Sequence, residues 1–304
     1  MADTERVDKF FLTTKKGLFM SYEIAEKSSQ PTQLLSDNLL SLMKVSSAQT
    51  SDTNCYADED YSELERCYAS VETFIEKISQ GSLRSLIING PPGVGKTFSV
   101  ESFLKKHASR KYKLIAGHMS TLSLYGNLYH YRDAGNVLVL DDIDSVLSKI
   151  EGVNILKAAM DTKPSRRINW ESSSSLLNKL NVPTGFDFQG SVILISNISF
   201  GSSGGKIGAH LAALKDRSFT LTIANDSSES LFKQLCFMVM KKDLLSSFSL
   251  SASQIQDILK YVENNMETIP KISLRLAIKL AQLVKDSPDN WYQMANTGLL
   301  NQSN

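Results

Sequence analysis

The sequence predicts an α/β fold with a parallel five-stranded sheet flanked by helices, followed by a small all-helical domain. Five short apolar runs are typical of strands buried on both faces, at residues 86–88, 112–116, 137–140, 192–195 and 219–223. The segments between them are long enough for the crossover helices that join parallel strands. After Ser227 the strand pattern is lost and only helical periodicity remains. We therefore expect two folded units in that order.

Helices are predicted on both sides of this strand region. Apolar residues recur at steps of three and four from residue 61 to 78, which indicates an amphipathic helix, and Gly81 is suited to end it. Three further helices are predicted at residues 231–245, 251–264 and 273–284. In the middle one, Ser251 and Gln254 have the spacing of a capping box. The region after Ser227 is therefore predicted to be entirely helical.

These patterns divide the 304-residue chain into an N-terminal extension and linker (1–60), an α/β domain (61–226) and a helical domain (227–304). The net charge of +1 excludes binding of nucleic acid through bulk positive charge. Three cysteines without a CxxC pair indicate neither a disulfide framework nor a thiolate metal site, and the four histidines lack ligand spacing. This cysteine usage fits a reducing cytoplasm, and since no apolar run approaches the roughly 18 residues of a membrane span, we expect a soluble cytoplasmic protein.

The strongest motif is GPPGVGKT at residues 90–97, which lies between a predicted strand and a predicted helix. It matches the phosphate-binding pattern GxxxxGK[ST]. Its glycines allow successive N–H groups to turn toward phosphates, and the helix N-terminus adds positive charge. We expect Lys96 to reach the β- and γ-phosphates of ATP and Thr97 to bind Mg²⁺.

Polar residues follow two of the predicted strands. Asp141 and Asp142 follow the strand at 137–140, and Asn197 follows the strand at 192–195. Since the carboxyl ends of parallel strands meet at one edge, Asp141 should lie beside the phosphate loop and hold Mg²⁺ through water. Asp142 should polarise the attacking water, with Asn197 orienting it from the opposite side. The alternatives are that the acids only cap a helix and that the asparagine only makes a turn.

In this order and spacing, GPPGVGKT, VLVLDDID and ILISN resemble the Walker A, Walker B and sensor 1 segments of AAA+ ATPases. Residues 213–219 are similar to the family's arginine-finger segment, and residues 272–277 to its sensor 2 helix. The resemblance covers about residues 61–290. It implies a P-loop NTPase fold with a helical lid and a homo-oligomeric ring or spiral, such as a hexamer. Arg217 would project into the neighbouring subunit's site, and Arg275 would contact phosphates from the lid of its own subunit.

The resemblance implies Mg²⁺-dependent ATP hydrolysis at subunit interfaces, coupled to remodelling or loading of a macromolecular partner of DNA-replication or protein-remodelling type. The implied catalytic residues are Lys96, Asp142, Asn197, Arg217 and Arg275. The implied nucleotide contacts are Gly90, Pro91, Pro92, Gly93, Val94, Gly95, Lys96, Thr97, Phe98 and Arg275. The implied metal ligands are Thr97 and Asp141. Segments RRINW (166–170) and FDFQG (186–190) resemble bacteriophage-encoded members, for which the host cytoplasm is the expected location.

Two other functions stay open from the residues. The second Walker B acid of the family is often Glu, whereas Asp142 is one methylene shorter, so an ATP-gated assembly or binding module with slow hydrolysis is an alternative. A small-molecule P-loop kinase is another, and it predicts neither an interfacial arginine nor a lid bearing Arg275. Protein-threading members carry an aromatic residue after the second strand, where this chain offers only Met119.

Two segments of mixed character lie outside these motifs. Residues 162–190 contain Lys163, Arg166, Arg167 and Trp170, which suit a solvated hairpin or a groove that stacks a base. The glycine- and serine-rich run at 201–206 lacks the GK[ST] ending and is interpreted as a flexible connection.

Overall fold

The computed structural model describes residues 55–107, 111–171, 177, 179, 181–198, 205–223 and 227–300. Within these residues the strands are β1 (Ser85–Asn89), β2 (Tyr112–Ala116), β3 (Val137–Asp141), β4 (Arg167–Asn169), β5 (Gly185–Asp187), β6 (Ser191–Ser196) and β7 (Phe219–Thr222). Five of them form one parallel sheet in the order β2–β3–β6–β1–β7. The predicted parallel five-stranded sheet is therefore confirmed.

The helices in the described residues are α1 (Ser62–Ser79), α2 (Lys96–His107), α3 (Thr121–His130), α4 (Asp144–Leu147), α5 (Ile150–Ala159), α6 (Gly205–Asp216), α7 (Ser228–Lys241), α8 (Ala252–Asn264), α9 (Leu274–Asp286) and α10 (Trp291–Ala295). A 3₁₀ turn, Ser246–Phe248, lies between α7 and α8. Each of the predicted helices is present, and α7 begins three residues earlier than expected because Ser227 caps it. No helix in this part of the chain is both long and apolar enough to cross a membrane.

Local sequence explains where these helices begin and end. Beyond α1, Gly81 takes φ 77° and the N–H of Ser82 donates to the carbonyl of Lys77 at 2.9 Å, the pattern of a Schellman motif. The predicted capping box of Ser251 and Gln254 is present at the start of α8. The caps therefore fix the ends that periodicity alone leaves open.

Strand register brings the predicted site residues to one edge of the sheet. In the pairing of β1 with β6, Asn89 lies opposite Ser196. In the pairing of β3 with β6, Asp141 lies opposite Ile195. All six residues of β6 are buried, as expected for a central strand. The chain therefore leaves β1, β3 and β6 at the same edge, where the phosphate loop, the acids and the asparagine follow.

Apolar side chains fill both faces of the sheet. Ile88 belongs to a core built with α1, α2 and the helices after β7, and its neighbour Ile87 faces a core built with α3, α5 and β4–β5. Successive strand residues alternate between faces, so β1, β2, β3 and β6 contribute side chains to both cores. The C-terminal helices thus pack on the body through the same core that contains the phosphate-loop strand.

Two segments differ from the sequence interpretation. Tyr56 falls in the segment interpreted as a linker, but it is buried and its hydroxyl donates to Glu263 at 2.5 Å. The predicted hairpin is present as antiparallel β4 and β5, yet one side is not solvated, because Ile168 and Phe186 are buried. Arg166 is also buried and donates to two backbone carbonyls, so it cannot line a nucleic-acid groove.

Some sequence expectations have no structural counterpart. Residues 1–54 and most of the run at 201–206 lie outside the described residues. The domain boundaries at 60/61 and 226/227 stay predictions. Among the described residues no cluster of His, Cys, Asp and Glu has the form of a metal site.

Candidate nucleotide-binding site

The loop between β1 and α2 can be built only with glycine at two of its central positions. Gly93 and Gly95 have φ angles of 92° and 90°, in the left-handed region that favours glycine. A Cβ on Gly93 would lie 2.7 Å from the Cβ of Ser273, and one on Gly95 would lie 2.7 Å from the Cδ1 of Leu274. The start of α9 therefore lies directly against the loop.

The backbone of this loop presents donors. Within the described part of the chain, no protein acceptor takes the N–H groups of Gly93, Val94, Gly95 or Lys96. The loop runs into the N-terminus of α2, where unpaired N–H groups carry partial positive charge. Free donors, glycine conformations and a helix N-terminus together fit a bound polyphosphate.

Lys96 lies at the centre of the site. Its buried Nζ donates to the carbonyls of Gly90 and Pro91 at 2.8 and 2.9 Å, and to the Oδ1 of Asn197 at 2.7 Å. Burial lowers the pKa of Lys96, while the carboxylates of Asp142 and Asp141 act to raise it. The ammonium group is therefore held in one place by three acceptors.

Thr97 and Asp141 form a pair of neighbouring oxygens. The Thr97 hydroxyl donates to the Oδ2 of Asp141 at 2.7 Å. Burial raises the pKa of Asp141, and the hydrogen bond from Thr97 opposes that shift. Adjacent hydroxyl and carboxylate oxygens are hard ligands, so this pair fits Mg²⁺.

Asp142 contacts Asn197 directly. Its backbone takes φ 49°, uncommon outside glycine, and its N–H donates to the carbonyl of Ile195 at 3.1 Å. Its Oδ1 accepts from the Nδ2 of Asn197 at 2.7 Å. Asn197 therefore joins Lys96 to Asp142 through one amide, where the sequence predicted that Asn197 and Asp142 would flank a water from opposite sides.

A cavity of about 150 Å³ joins these residues to the C-terminal helices. Lys96, Asp142 and Asn197 line it from the body, and Arg275 lines it from the first turn of α9. Phe98 and the loop residues Pro92, Gly93, Gly95 and Thr97 also line it. Of the residues that the sequence expected in one subunit, the structure brings all but Gly90, Pro91 and Val94 to this cavity, and Val94 is buried.

Arg217 does not reach this cavity. It lies just before β7, and its carbonyl accepts from the Oγ of Ser85, the first residue of β1, at 3.3 Å. The length of β1, about 13 Å, separates that edge from the phosphate loop. The Nε of Arg217 lies 3.6 Å from the Oδ2 of Asp161, and its Nη1 donates to the carbonyl of Ala213. Arg217 therefore cannot act in its own subunit.

Sequence reasoning missed several residues around the cavity. Ile278 lines it from α9, and Leu244 lines it from the segment between α7 and the 3₁₀ turn. Lys271 lies close enough to contribute to lowering the pKa of Lys96. Apolar positions give no sequence signal for a site, so only the packing identifies Leu244 and Ile278. Met119 is 4% exposed and its N–H donates to Ser145, so it is not available to grip a polypeptide.

Comparisons with known proteins give one sequence relative and a set of distant structures. No family model matches the chain. It is 30% identical over 250 residues to an uncharacterised 36.7 kDa protein of Enterobacteria phage T4, from the nrdC–mobD intergenic region, covering 77% of each chain.

Solved structures with a similar fold include two proteins of Thermotoga maritima. The RuvB Holliday junction branch migration motor matches with TM-score 0.44 and 14% identity, covering 76% of this chain and 65% of that one. Domain III of the replication initiation protein DnaA matches with TM-score 0.45 and 12% identity, covering 77% and 93%. The chain spans less than two thirds of the RuvB chain. Likeness at this level carries no argument for function.

Proposed function

We propose that this chain, which belongs to the same family as the phage T4 36.7 kDa protein, is a P-loop protein of the AAA+ type that hydrolyses ATP with Mg²⁺. The observation that carries the proposal is the convergence of a lysine, an acid and an asparagine at one cavity. Lys96, Asn197 and Asp142 are joined by two 2.7 Å hydrogen bonds at the carboxyl edge of the sheet.

Lys96 and the loop donors would bind the triphosphate. The Lys96 ammonium would exchange its bond to Asn197, or those to the loop carbonyls, for phosphate oxygens, which are charged acceptors and form stronger bonds. The N–H groups of the loop supply a second set of donors. Arg275 would add positive charge from α9. These groups together balance the phosphate charge.

Thr97 and Asp141 would hold Mg²⁺, Asp141 through water. Bound there, the ion would neutralise charge on the β- and γ-phosphate oxygens. The 2.7 Å contact between the two side chains brings both oxygens to one side of the loop. Burial raises the pKa of the Asp141 carboxyl, and a cation bound there would stabilise its charged form.

Asp142 and Asn197 would handle the attacking water. When Lys96 binds phosphate, the Oδ1 of Asn197 becomes available to accept from water, while its Nδ2 keeps Asp142 in place. The Asp142 carboxylate would then polarise that water and take its proton. The left-handed backbone of Asp142 fixes the direction of this short side chain.

Arg217 would complete the site of a neighbouring subunit in a homo-oligomer. It lies at the opposite edge of the sheet from its own phosphate loop, and it is half-exposed beside Asp161. An arginine supplied in trans stabilises the charge that develops on the γ-phosphate. We accordingly assign the hydrolytic site to subunit interfaces, with the energy used on a macromolecular partner of DNA or protein.

A second candidate is an ATP-gated assembly module with slow hydrolysis. The observation in its favour is the short Asp142 side chain, whose Oδ1 is already bonded to Asn197. Asp142→Glu tests it: a large gain in turnover indicates a naturally slow switch, and a loss indicates that the site is built for aspartate.

The experiment that tests the ATPase is phosphate release by the purified chain with and without Mg²⁺, beside Lys96→Ala. We expect Mg²⁺-dependent release that Lys96→Ala abolishes, because the phosphates lose their direct cation. If Lys96→Ala releases phosphate at the wild-type rate, the assignment of the ATP site is wrong. Lys105→Ala, an exposed lysine of the same helix paired with Glu101, is the matched control and should be unchanged.

A further inference from the structure

A buried glutamine of α7, Gln234, donates a hydrogen bond to the phosphate loop. Gln234 is 1% exposed, and the residues that follow it, Leu235, Cys236 and Phe237, are apolar and fully buried. Burying an amide without partners is costly. The Nε2 of Gln234 donates to the carbonyl of Val94 at 2.9 Å and to the hydroxyl of Tyr68. The buried amide of Gln234 therefore binds the carbonyl of Val94 in the phosphate loop.

Tyr68 donates to the same carbonyl from a different helix. It lies on α1, is 1% exposed, and its hydroxyl lies 2.9 Å from the oxygen of Val94. A carbonyl oxygen has two lone pairs, so Tyr68 and Gln234 together satisfy it. Burial raises the pKa of the Tyr68 phenol, which therefore remains a donor. Helices from before and after the sheet meet at this one atom.

Because the peptide bond is planar, the hydrogen bonds to the Val94 carbonyl also determine the direction of the Gly95 N–H. The carbonyl of Val94 and the N–H of Gly95 belong to one planar trans peptide, so they point in opposite directions. Holding the carbonyl toward the core turns the Gly95 N–H away from the core, toward the phosphate side. Gly95 itself imposes little restraint, because glycine accepts many backbone angles. The direction of this donor is thus set by the two side chains.

We propose that Tyr68 and Gln234 are positioning residues for the nucleotide, which hold the Gly95 N–H ready for a phosphate oxygen. The inference rests on the proposed ATP site. Neither side chain lines the cavity. Because Gln234 lies on α7, the alignment of this donor depends on how that helix packs on the body, so the packing of the C-terminal helices and phosphate binding are coupled.

A second buried tyrosine provides the matched control. Tyr61 is 3% exposed, precedes α1, and its hydroxyl donates to the carbonyl of Tyr56 at 2.6 Å. Its ring lies 5.7 Å from that of Phe237, as the Tyr68 ring lies 5.4 Å from it. Tyr61→Phe and Tyr68→Phe therefore remove the same group from similar surroundings, but only Tyr68 contacts the loop.

The test measures the affinity of the full chain for a fluorescent ATP analogue, together with the melting temperature. Tyr68→Phe and Gln234→Met each remove one of the two donors to the Val94 carbonyl and roughly keep the buried volume, and we expect each to weaken affinity about 5- to 10-fold. Turnover at saturating ATP should change little, because the catalytic groups are untouched. Tyr61→Phe should lower the melting temperature similarly and leave affinity unchanged.

Two results would overturn the inference in different ways. If Tyr68→Phe and Gln234→Met lower the melting temperature but not the affinity, as Tyr61→Phe does, the network is only structural. If the wild type binds the analogue no better than Lys96→Ala, the proposed ATP site fails and the inference with it. Should one of the two variants not fold, the other decides, since both donate to the same carbonyl.

Discussion

The amide of Asn197 donates to the Oδ1 of Asp142 at 2.7 Å. The other end of the same amide accepts from the ammonium of Lys96 at 2.7 Å. A residue after β6 therefore couples the cation of the phosphate loop to the acid that follows β3. Movement of either charged group changes the hydrogen bonding of the other through a single side chain.

Asn197→Ala is expected to lower ATP turnover about 10²-fold, because Asp142 and the attacking water lose their shared partner. ATP affinity should change much less, since Lys96 keeps two carbonyl acceptors and gains phosphate. Steady-state phosphate release gives the turnover, and binding of a fluorescent analogue gives the affinity.

Asn127 offers a control for this substitution. It accepts from the Nζ of Lys113 at 3.0 Å and donates to the carbonyl of Ser123, so it also joins a lysine to an oxygen, but on α3 and not at the cavity. Asn127→Ala should leave turnover unchanged. Equal effects of the two substitutions would show that the loss at Asn197 is not specific to the site.

A shared site predicts rescue between two inactive variants. Arg217→Ala should bind ATP and hydrolyse it poorly, and Asp142→Asn should do the same for a different reason. Random mixing places an intact Asp142 beside an intact Arg217 at about a quarter of interfaces, so about a quarter of wild-type turnover should return. Mixing Arg217→Ala with the Arg217→Ala/Asp142→Asn double variant should return none. Absence of rescue in the first mixture would contradict an arginine supplied in trans.

The first residue of α9 is expected to influence nucleotide affinity through its backbone. The N–H of Leu274 donates to the carbonyl of Gly93 at 2.9 Å, which orients the N–H of Val94 toward the phosphate side. Leu274→Pro removes that donor at a position where helices accept proline, and the extended backbone of Ser273 is compatible with it.

Leu274→Ala removes most of the same side chain and keeps the N–H, so it isolates the backbone effect. Both variants should lower the melting temperature, but Leu274→Pro should weaken binding of the ATP analogue about 5-fold more than Leu274→Ala. Equal affinities would show that this hydrogen bond does not orient the loop.

The three cysteines should differ in reactivity. Cys55 is exposed, whereas burial raises the pKa of the Cys67 and Cys236 thiols and disfavours the reactive thiolate. A colourimetric thiol reagent at neutral pH should therefore modify one thiol rapidly, and Cys55→Ser should remove that phase. All three thiols should react once the chain is unfolded. Rapid reaction of Cys236 in the native state would contradict the packing of α7.

The sequence predicted the sheet because the central strands are continuous apolar runs, as strands with two covered faces must be. It predicted the positions of Lys96, Thr97, Asp141 and Asn197 because the ends of parallel strands necessarily share an edge. Those inferences need only local pattern and the geometry of a parallel sheet, and the observed register agrees with them.

Other features depend on contacts that no local pattern encodes. Gln234 is a polar residue in an amphipathic helix, and only the packing of α7 shows that it is buried and bonded to Val94. The hairpin was predicted, but β4 and β5 have three residues each, too few for a period of two to show that Ile168 and Phe186 face the core. The direct hydrogen bond between Asn197 and Asp142 depends on the unusual φ of Asp142, and no sequence pattern predicts that angle.

The most direct test of the central claim is ATP turnover across a concentration series of the chain, with light-scattering mass measured in parallel. Single-stranded DNA, duplex DNA and unfolded protein are each added in separate series. We expect turnover per chain to rise as the chain assembles and to rise further with one of the three polymers. Turnover per chain that is independent of concentration and mass would contradict a site completed by Arg217 of a neighbouring subunit.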